Sequence, residues 1–221
     1  MQRVVILLGP PGAGKGTQAV RLGQDLALPH VSTGDLFRDN LARDTALGRQ
    51  AKSYMESGRL VPDALVLDML FDRVAKPDCA GGYLLDGFPR TLPQAEALER
   101  ALSKDVCVQA LNLRVTDALL VERLSGRRTC EKCGFVHHLR HSPPKAAGVC
   151  DKCSGRLVQR PDDAPEVVLK RLEVYRQETQ PLEAFYDKRG RLVNVDGARS
   201  AEEVFADLAR AARRPVMEEC R

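Results

Sequence analysis

The stretch Gly9-Pro10-Pro11-Gly12-Ala13-Gly14-Lys15-Gly16-Thr17 decides how this chain is read. It follows an apolar run, Val4-Val5-Ile6-Leu7-Leu8, and opens a segment of helical character from about Lys15 to Ala27. A strand that passes through glycines into a helix turns backbone N–H groups inward. It also aims the positive end of the helix at whatever anion lies there. In such a loop Lys15 can wrap back to the β and γ oxygens of a nucleotide, and the Thr17 hydroxyl can face magnesium. A mere glycine turn between strand and helix would need neither residue.

Working outward, the strand–helix alternation repeats. Tyr83–Asp86 precedes a turn and a helix over Pro93–Leu102. Val108–Leu113 precedes a helix opening at Thr116, and Leu192–Val195 precedes a last helix from about Ala201. That helix starts with Ser200-Ala-Glu-Glu203, in which serine and glutamate can cap each other's backbone donors. Leucine-rich and β-branched strands in this order predict a parallel sheet covered by helices on both faces. Two stretches break the pattern. Residues 32–61 read as a polar, helical insertion without a convincing strand. Residues 127–164 carry both CxxC pairs and three of the four histidines, and hold too few apolar residues for a core of their own. The helix from Pro165 to about Gln180 leads back to the main body, with Pro181 expected to kink or restart it.

Composition narrows the classes. The 221 residues suffice for one ordinary domain with insertions; 43% are hydrophobic and 29% charged, normal for a globular protein. The net charge of +4, from 34 basic and 30 acidic residues, is too balanced for nucleic acid or an anionic membrane to be the main partner, though it allows a local basic cleft. No run approaches the ~20 apolar residues of a spanning helix, and five apolar residues at the start are too few for a signal peptide. A cytoplasmic location is expected. Seven cysteines, at 79, 107, 130, 133, 150, 153 and 220, form two CxxC pairs plus three single residues. The odd count argues for reduced thiols, with metal at the pairs. Cys79 and Cys107 read as small buried apolar residues, and Cys220 as a tail thiol.

Two features next to the third element point to the same chemistry. Tyr83-Leu84-Leu85-Asp86 is an apolar strand ending in a carboxylate, suited to magnesium at the sheet's C-terminal edge. Gly87-Phe88-Pro89-Arg90 then places an arginine at a tight turn, where it can hold a second phosphate with two hydrogen bonds.

Read together, GPPGAGKGTQ (9–18), STGDLFR (32–38), LLDGFPRT (84–91) with Gln94, SGRR (125–128), QRPDD (159–163) and KRLEVY (170–175) resemble the adenylate kinases, in family order and spacing from end to end. Gly16, with the hydroxyl one residue later, also resembles nucleoside monophosphate kinases more than GTPases or motor ATPases. The resemblance implies an α/β fold of the P-loop nucleoside monophosphate kinase type. It would have a five-stranded parallel sheet with helices on both faces, a helical AMP-binding insertion and a zinc-ribbon-like lid. The core would comprise 1–31, 62–126 and 165–221, the AMP-binding insertion 32–61, and the lid 127–164.

The implied reaction is reversible phosphoryl transfer from Mg-ATP to AMP, giving two ADP. The attacking phosphate oxygen is already ionised, so the site needs positive charge, alignment and dryness, with no general base. Lys15, Arg38, Arg90, Arg123, Arg127, Arg160 and Arg171 would supply the charge. By resemblance, ATP would meet Gly12, Ala13, Gly14, Lys15, Gly16, Thr17, Arg123, Arg127, Val136, His137 and Arg199. AMP would meet Thr33, Arg38, Arg59, Leu60, Val61, Gly87, Phe88, Pro89, Arg90, Gln94, Arg160 and Arg171. Asp86 and Asp35 would hold magnesium through water, and Asp162 with Asp163 resembles a hinge pair that steadies the lid. Any one of these arginines alone would read as a solvated surface charge; their joint occurrence in matched motifs argues otherwise.

Cys130-x2-Cys133-x16-Cys150-x2-Cys153 has the spacing of a zinc ribbon. Four thiolates close a tetrahedral site, so the metal is expected to be structural: Zn²⁺, with Fe²⁺ or Co²⁺ accepted by the same sulfurs. His137, His138 and His141 are read as lid-surface residues or neighbours of the donor nucleotide, and not as ligands. They stand where relatives commonly have aromatics and an Asn before Pro-Pro, which bears on contacts to the ATP base. Rival readings are a kinase for UMP, CMP or GTP, and a zinc-ribbon nucleic-acid binder. Thr33 with Gln94 fits adenine better than the first. An aromatic content of 5%, with Phe135 alone between the cysteine pairs, disfavours the second. A monomer acting on ATP, AMP and ADP is expected, without nucleic acid or membrane.

Overall fold

A computed structural model describes residues 2–103 and 105–214, so Cys220 lies outside the described residues. The central strand β1 (Arg3–Leu8) is buried on both faces, which is why it reads as an unbroken apolar run. Alternation along it divides the core. Val4, Ile6 and Leu8 join one apolar cluster with Tyr83, Leu85, Val108 and Ala110, while Val5 and Leu7 join another with Leu84, Leu111 and Leu113. Period-two side-chain direction thus builds both layers from one strand.

The sheet has the order β2-β3-β1-β4-β8, all neighbours parallel, with β2 at His30–Ser32, β3 at Gly82–Asp86, β4 at Cys107–Arg114 and β8 at Leu192–Asp196. The five parallel strands match the expectation. Strand β2, however, is a three-residue edge that the sequence reading does not locate. Because β1 is flanked by β3 and β4, the loop after it opens into the crevice where the connections part to either side.

Helix α1 (Lys15–Leu26) starts at Gly14, whose φ of 94° is open to glycine, and stops at Ala27 in the left-handed region. Between β2 and β3 lie α2 (Thr33–Ala42), α3 (Ala46–Glu56) and α4 (Asp63–Val74). Helix α5 (Leu92–Ala101) is capped by Thr91, α6 (Asp117–Ser125) follows Thr116, and α7 (Pro165–Val174) begins after the lid segment. The helical path from Pro165 runs to about Gln180 and restarts at Pro181, as expected, but its last turn departs from α geometry. Lacking an N–H and crowding the carbonyl four residues back, that proline ends the ordinary pattern. Tyr175–Thr179 widens into a π-turn, with Gln180 N–H bonded to the Tyr175 carbonyl at 2.8 Å, and α8 (Pro181–Asp187) restarts. The last helix, α9 (Ala201–Ala212), carries the full Ser200–Glu203 capping box.

Residues 127–158 form a separate three-stranded antiparallel sheet of order β6-β5-β7, with β5 at Arg127–Cys130, β6 at Val136–His138 and β7 at Leu157–Val158. Its own buried apolar cluster consists of Cys130, Cys150 and Leu157, with Cys153 packed against it. In the main core, the Tyr186 hydroxyl is buried and has no hydrogen-bond partner among the described residues. An unsatisfied hydroxyl costs about 1–3 kcal/mol. Tyr186→Phe is therefore expected to leave the melting temperature unchanged or raise it by a few degrees, as read by calorimetry; a fall would show that the hydroxyl is satisfied.

Candidate active site

The loop after β1 sets the first cation. Lys15 Nζ folds back on the loop's own carbonyls, donating to Gly9 at 2.6 Å and Pro10 at 3.0 Å. Burial brings its pKa down to about 8; Asp86 opposes this, while Arg90, Arg171 and Arg127 add to it. Ala13 is buried, and Gly16 and Thr17 are exposed at the start of α1. A Cβ at position 16 would lie 3.5 Å from Asp86 Oδ2, so the glycine keeps space open between the loop and that carboxylate. The same Asp86 oxygen meets His30 Nε2 at 3.3 Å.

Arg90 comes from the turn after β3. Its Nε donates to the Gly87 carbonyl at 2.8 Å, and its own carbonyl accepts from Thr179 Oγ1 at 2.8 Å. The guanidinium stands on the cleft floor, ringed by protein yet reached by solvent from the open side. Removal of water lowers its pKa to about 10, Arg171 and Arg38 lower it further, and Asp86 and Asp162 oppose. Thr33 Oγ1 donates to Gly87 O at 2.8 Å, tying α2 to the same turn.

Lys15, Thr33, Arg38, Arg59, Leu60, Val61, Gly87, Pro89, Arg90, Gln94 and Arg171 line one cleft, together with Asp162. Phe88 does not reach it: its ring is fully buried in the core and supports the turn from behind. Gln94 is buried with both ends of its amide engaged. Oε1 accepts from Arg90 N–H at 2.8 Å, and Nε2 donates to Asp63 Oδ1 at 2.6 Å. Asp63 also accepts from Thr91 Oγ1 at 3.0 Å. Neither Asp63 nor Thr179 carries a motif, so sequence reading misses both.

Asp162 and Asp163, expected as a hinge pair, are more tightly bound than their motif suggests. Asp163 is fully buried and accepts from Arg127 through both oxygens, the Nε bond at 2.7 Å, and from Arg171 at 3.1 Å. Asp162 pairs with Arg171 at 3.0 Å. Burial raises the Asp162 carboxyl, but Arg171, Arg127 and Arg160 outweigh it and hold it below the usual range. Arg160 Nε donates to Thr129 Oγ1 at 2.8 Å; burial and then Arg38 and Arg127 bring its pKa down to about 10. Asp35 is taken up by Arg38 at 2.5 Å.

Arg123, Arg127, Val136, His137, Arg160 and Arg199 stand outside the residues that line the cleft. Arg123 NH1 donates to Gly197 O at 2.8 Å, joining α6 to the loop before α9. Arg199 in that loop pairs with Asp207 and, at 3.8 Å, with Asp196. Val136 is exposed.

A family profile described as adenylate kinase matches residues 7–191. The adenylate kinase of Caldanaerobacter subterraneus subsp. tengcongensis is 50% identical over 209 residues, covering 94% of this chain and 95% of the relative. That of Thermoanaerobacter pseudethanolicus is 52% identical over 211 residues, covering 94% and 96%. The adenylate kinase of the archaeon Methanocella arvoryzae is 50% identical over 212 residues, covering 95% and 98%. This chain belongs to the adenylate kinase family.

All four paired cysteines converge: their Sγ atoms lie within 4.8 Å of one another. Cys130–Cys153 is 3.5 Å and Cys133–Cys150 is 3.7 Å. Zn–S bonds of about 2.3 Å in a tetrahedron put sulfurs roughly 3.8 Å apart, so the donor set fits such an ion. Each CxxC turn closes with a backbone bond, Gly134 N to Cys130 O at 3.0 Å and Ser154 N to Cys150 O at 2.8 Å. Burial pushes the Cys130 thiol up, but backbone N–H groups of Cys133 and Lys132 and the neighbouring thiols bring its pKa down to about 7, toward the thiolate a metal needs.

His137 corrects the lid-surface expectation. It is 2% exposed, its ring edge meets Phe135, and Nε2 accepts from Asp151 N–H at 3.4 Å beside the second knuckle. No helix among the described residues is long and apolar enough to cross a membrane.

Removing one partner of a buried charge pair strands the other and costs about 3–5 kcal/mol. Asp163→Ala is expected to lose that much stability in urea denaturation, and Asp162→Ala, on a more open side chain, markedly less. Equal losses would contradict the assignment of Asp163 as the buried hub.

Proposed function

We propose that the chain transfers a phosphoryl group reversibly between Mg-ATP and AMP, giving two ADP. The observation that supports this most directly is the cluster of cations around one cleft at the sheet's C-terminal edge, where Lys15, Arg90, Arg160 and Arg171 all have lowered pKa values. Six cations (Lys15, Arg38, Arg90, Arg127, Arg160, Arg171) stand against four carboxylates (Asp35, Asp86, Asp162, Asp163). The surplus suits two phosphate-bearing substrates.

In this reading the backbone of Gly12–Thr17 cradles the donor phosphates. Lys15 leaves the carbonyls of Gly9 and Pro10 for the β and γ oxygens. Arg38 and Arg90 clamp the AMP phosphate, with Gly87, Pro89 and the Arg59–Val61 backbone beside the nucleoside, and with Thr33 and Gln94 toward adenine. An ionised AMP oxygen attacks the γ-phosphorus in line while the bond to the ADP oxygen breaks, so no proton moves. Arg123, Arg127, Arg160 and Arg171 spread the charge of the transferring group, and the lid closing over it excludes water. The magnesium that accompanies ATP neutralises phosphate charge. Asp86, facing the gap beside Gly16, is the carboxylate best placed to hold it through water, whereas Asp35 already serves Arg38. Arg199 and the Val136–His137 strand flank the donor base.

Residues 32–61 act as the AMP-binding insertion, 127–164 as the lid, and the rest as the core. Cys130, Cys133, Cys150 and Cys153 hold Zn²⁺, with Fe²⁺ or Co²⁺ as competitors, and reduced thiols at such a site fit a cytoplasmic monomer.

Two experiments test this. A coupled assay crossing ATP and GTP with AMP, CMP and UMP is expected to favour ATP with AMP. Arg90→Ala is expected to cut turnover by roughly 10³-fold or more, the scale of a lost phosphate-clamping arginine. Its melt should stay near wild type, because the guanidinium bonds only its own turn. A fully active variant would refute the role. Separately, elemental analysis is expected to find one metal per chain, and chelation to lower the melting temperature while core helicity persists. Purified protein without stoichiometric metal would sink the lid assignment.

A further inference from the structure

We propose that His138 is a proton-sensitive pin that fixes the root of the lid segment to α6 and releases it on acidification. The root is a turn. After β6 the chain folds back on the end of α6, with Leu139 N–H bonded to Gly126 O at 2.9 Å and His138 and Ser142 exchanging backbone bonds at 3.1 Å each. Arg140 NH1 reaches Glu122 Oε1 at 2.7 Å, and His141 Nε2 lies 3.4 Å from the same oxygen.

His138 organises this turn from inside. Its Nδ1 accepts the backbone N–H groups of both Arg140 and His141, each at 3.0 Å, and its Nε2 faces the Glu122 carbonyl at 3.4 Å. The ring occupies the space above Gly126, where any Cβ would collide with it. A nitrogen that accepts two N–H bonds carries no proton, so the hydrogen-bond network assigns the proton to Nε2. Protonating Nδ1 would set a third donor against two donors, and the turn would have to open.

The surrounding charges act in both directions, and burial decides between them. From α6, Glu122 favours the imidazolium and Arg123 opposes it. From β5, the register partner Arg127 is already paired with Asp163. From its own turn come Arg140 and His141, the latter with its ring 4.4 Å away. Burial above all, then His141 and Arg123, hold the His138 pKa below its ordinary value despite the Glu122 carbonyl. The turn's stability is therefore full above the unfolded imidazole value and is lost as pH falls from there toward the lowered folded value. A protonated His141 would pair better with Glu122, but that does not replace the acceptor its backbone N–H has lost. None of the phosphate-facing arginines changes charge in this range.

The test is amide hydrogen exchange on metal-loaded, nucleotide-free protein at pH 7.5 and 5.5, so it stands or falls independently of the phosphoryl-transfer reading. The Arg140 and His141 amides are expected to be protected at pH 7.5. At pH 5.5 their protection factors should fall by up to about ten-fold, the ceiling for one group titrating from the ordinary imidazole value. His138→Asn keeps an acceptor at the Nδ1 position without a titrating proton, and is expected to hold protection that does not vary with pH. Wild-type protection that is equal at both pH values, or an equal fall in His138→Asn, overturns the proposal.

Discussion

Crowding positive charge into a partly dry cleft is the constraint on which the rest of this structure turns. Lys15, Arg90, Arg160 and Arg171 are each partly enclosed by protein, and neighbouring arginines add to the cost of holding their charge. Taking charges out of water without a partner is expensive. The chain limits that cost by giving the most enclosed arginines carboxylate partners of its own. Asp163 serves two of them at once, from a position with no solvent exposure.

Sheet topology makes this crowding possible. The five parallel strands deliver their C-terminal ends to one edge, so the loop after β1, the Asp86–Arg90 turn after β3 and the start of α2 after β2 meet there although they lie far apart in sequence. Register fixes the meeting in detail. Leu7, Asp86 and Ser32 pair across β1, β3 and β2, which sets the Asp86 carboxylate beside Gly16 and the Thr33 hydroxyl on Gly87. The fold contributes alignment, and the arginines contribute charge.

What could be read from the sequence follows from which interactions are local. The phosphate loop, the α9 capping box and the apolar strand β1 are written within a few residues, and the structure has each where the pattern puts it. Strand β2 was missed because three residues are too short for periodicity to register, and parallel pairing with β3 alone makes them a strand. The π-turn after α7 was legible only as a kink: Pro181 says that the helix must break, not how the chain accommodates it. Asp63, Thr179 and His30 contact site residues across long sequence separations and carry no motif of their own. Phe88 is the converse case, a motif residue whose ring is packed in the core behind the turn.

The lid segment carries the argument furthest, because there composition, packing and metal chemistry bear on one another. A buried cluster of two cysteines and a leucine cannot offset the conformational entropy of some thirty residues at about 1–2 kcal/mol each. Two of the three core members are themselves thiols, so the converging sulfurs and the hydrophobic core overlap. The lid histidines are engaged elsewhere: His137 spends Nε2 on the Asp151 N–H, His138 spends Nδ1 on two backbone donors, and His141 Nε2 faces Glu122 at 3.4 Å. An imidazole nitrogen that accepts a backbone proton has no lone pair left for an ion. The sulfurs, 3.5 and 3.7 Å apart across the two turns, are what remains to close the tetrahedron.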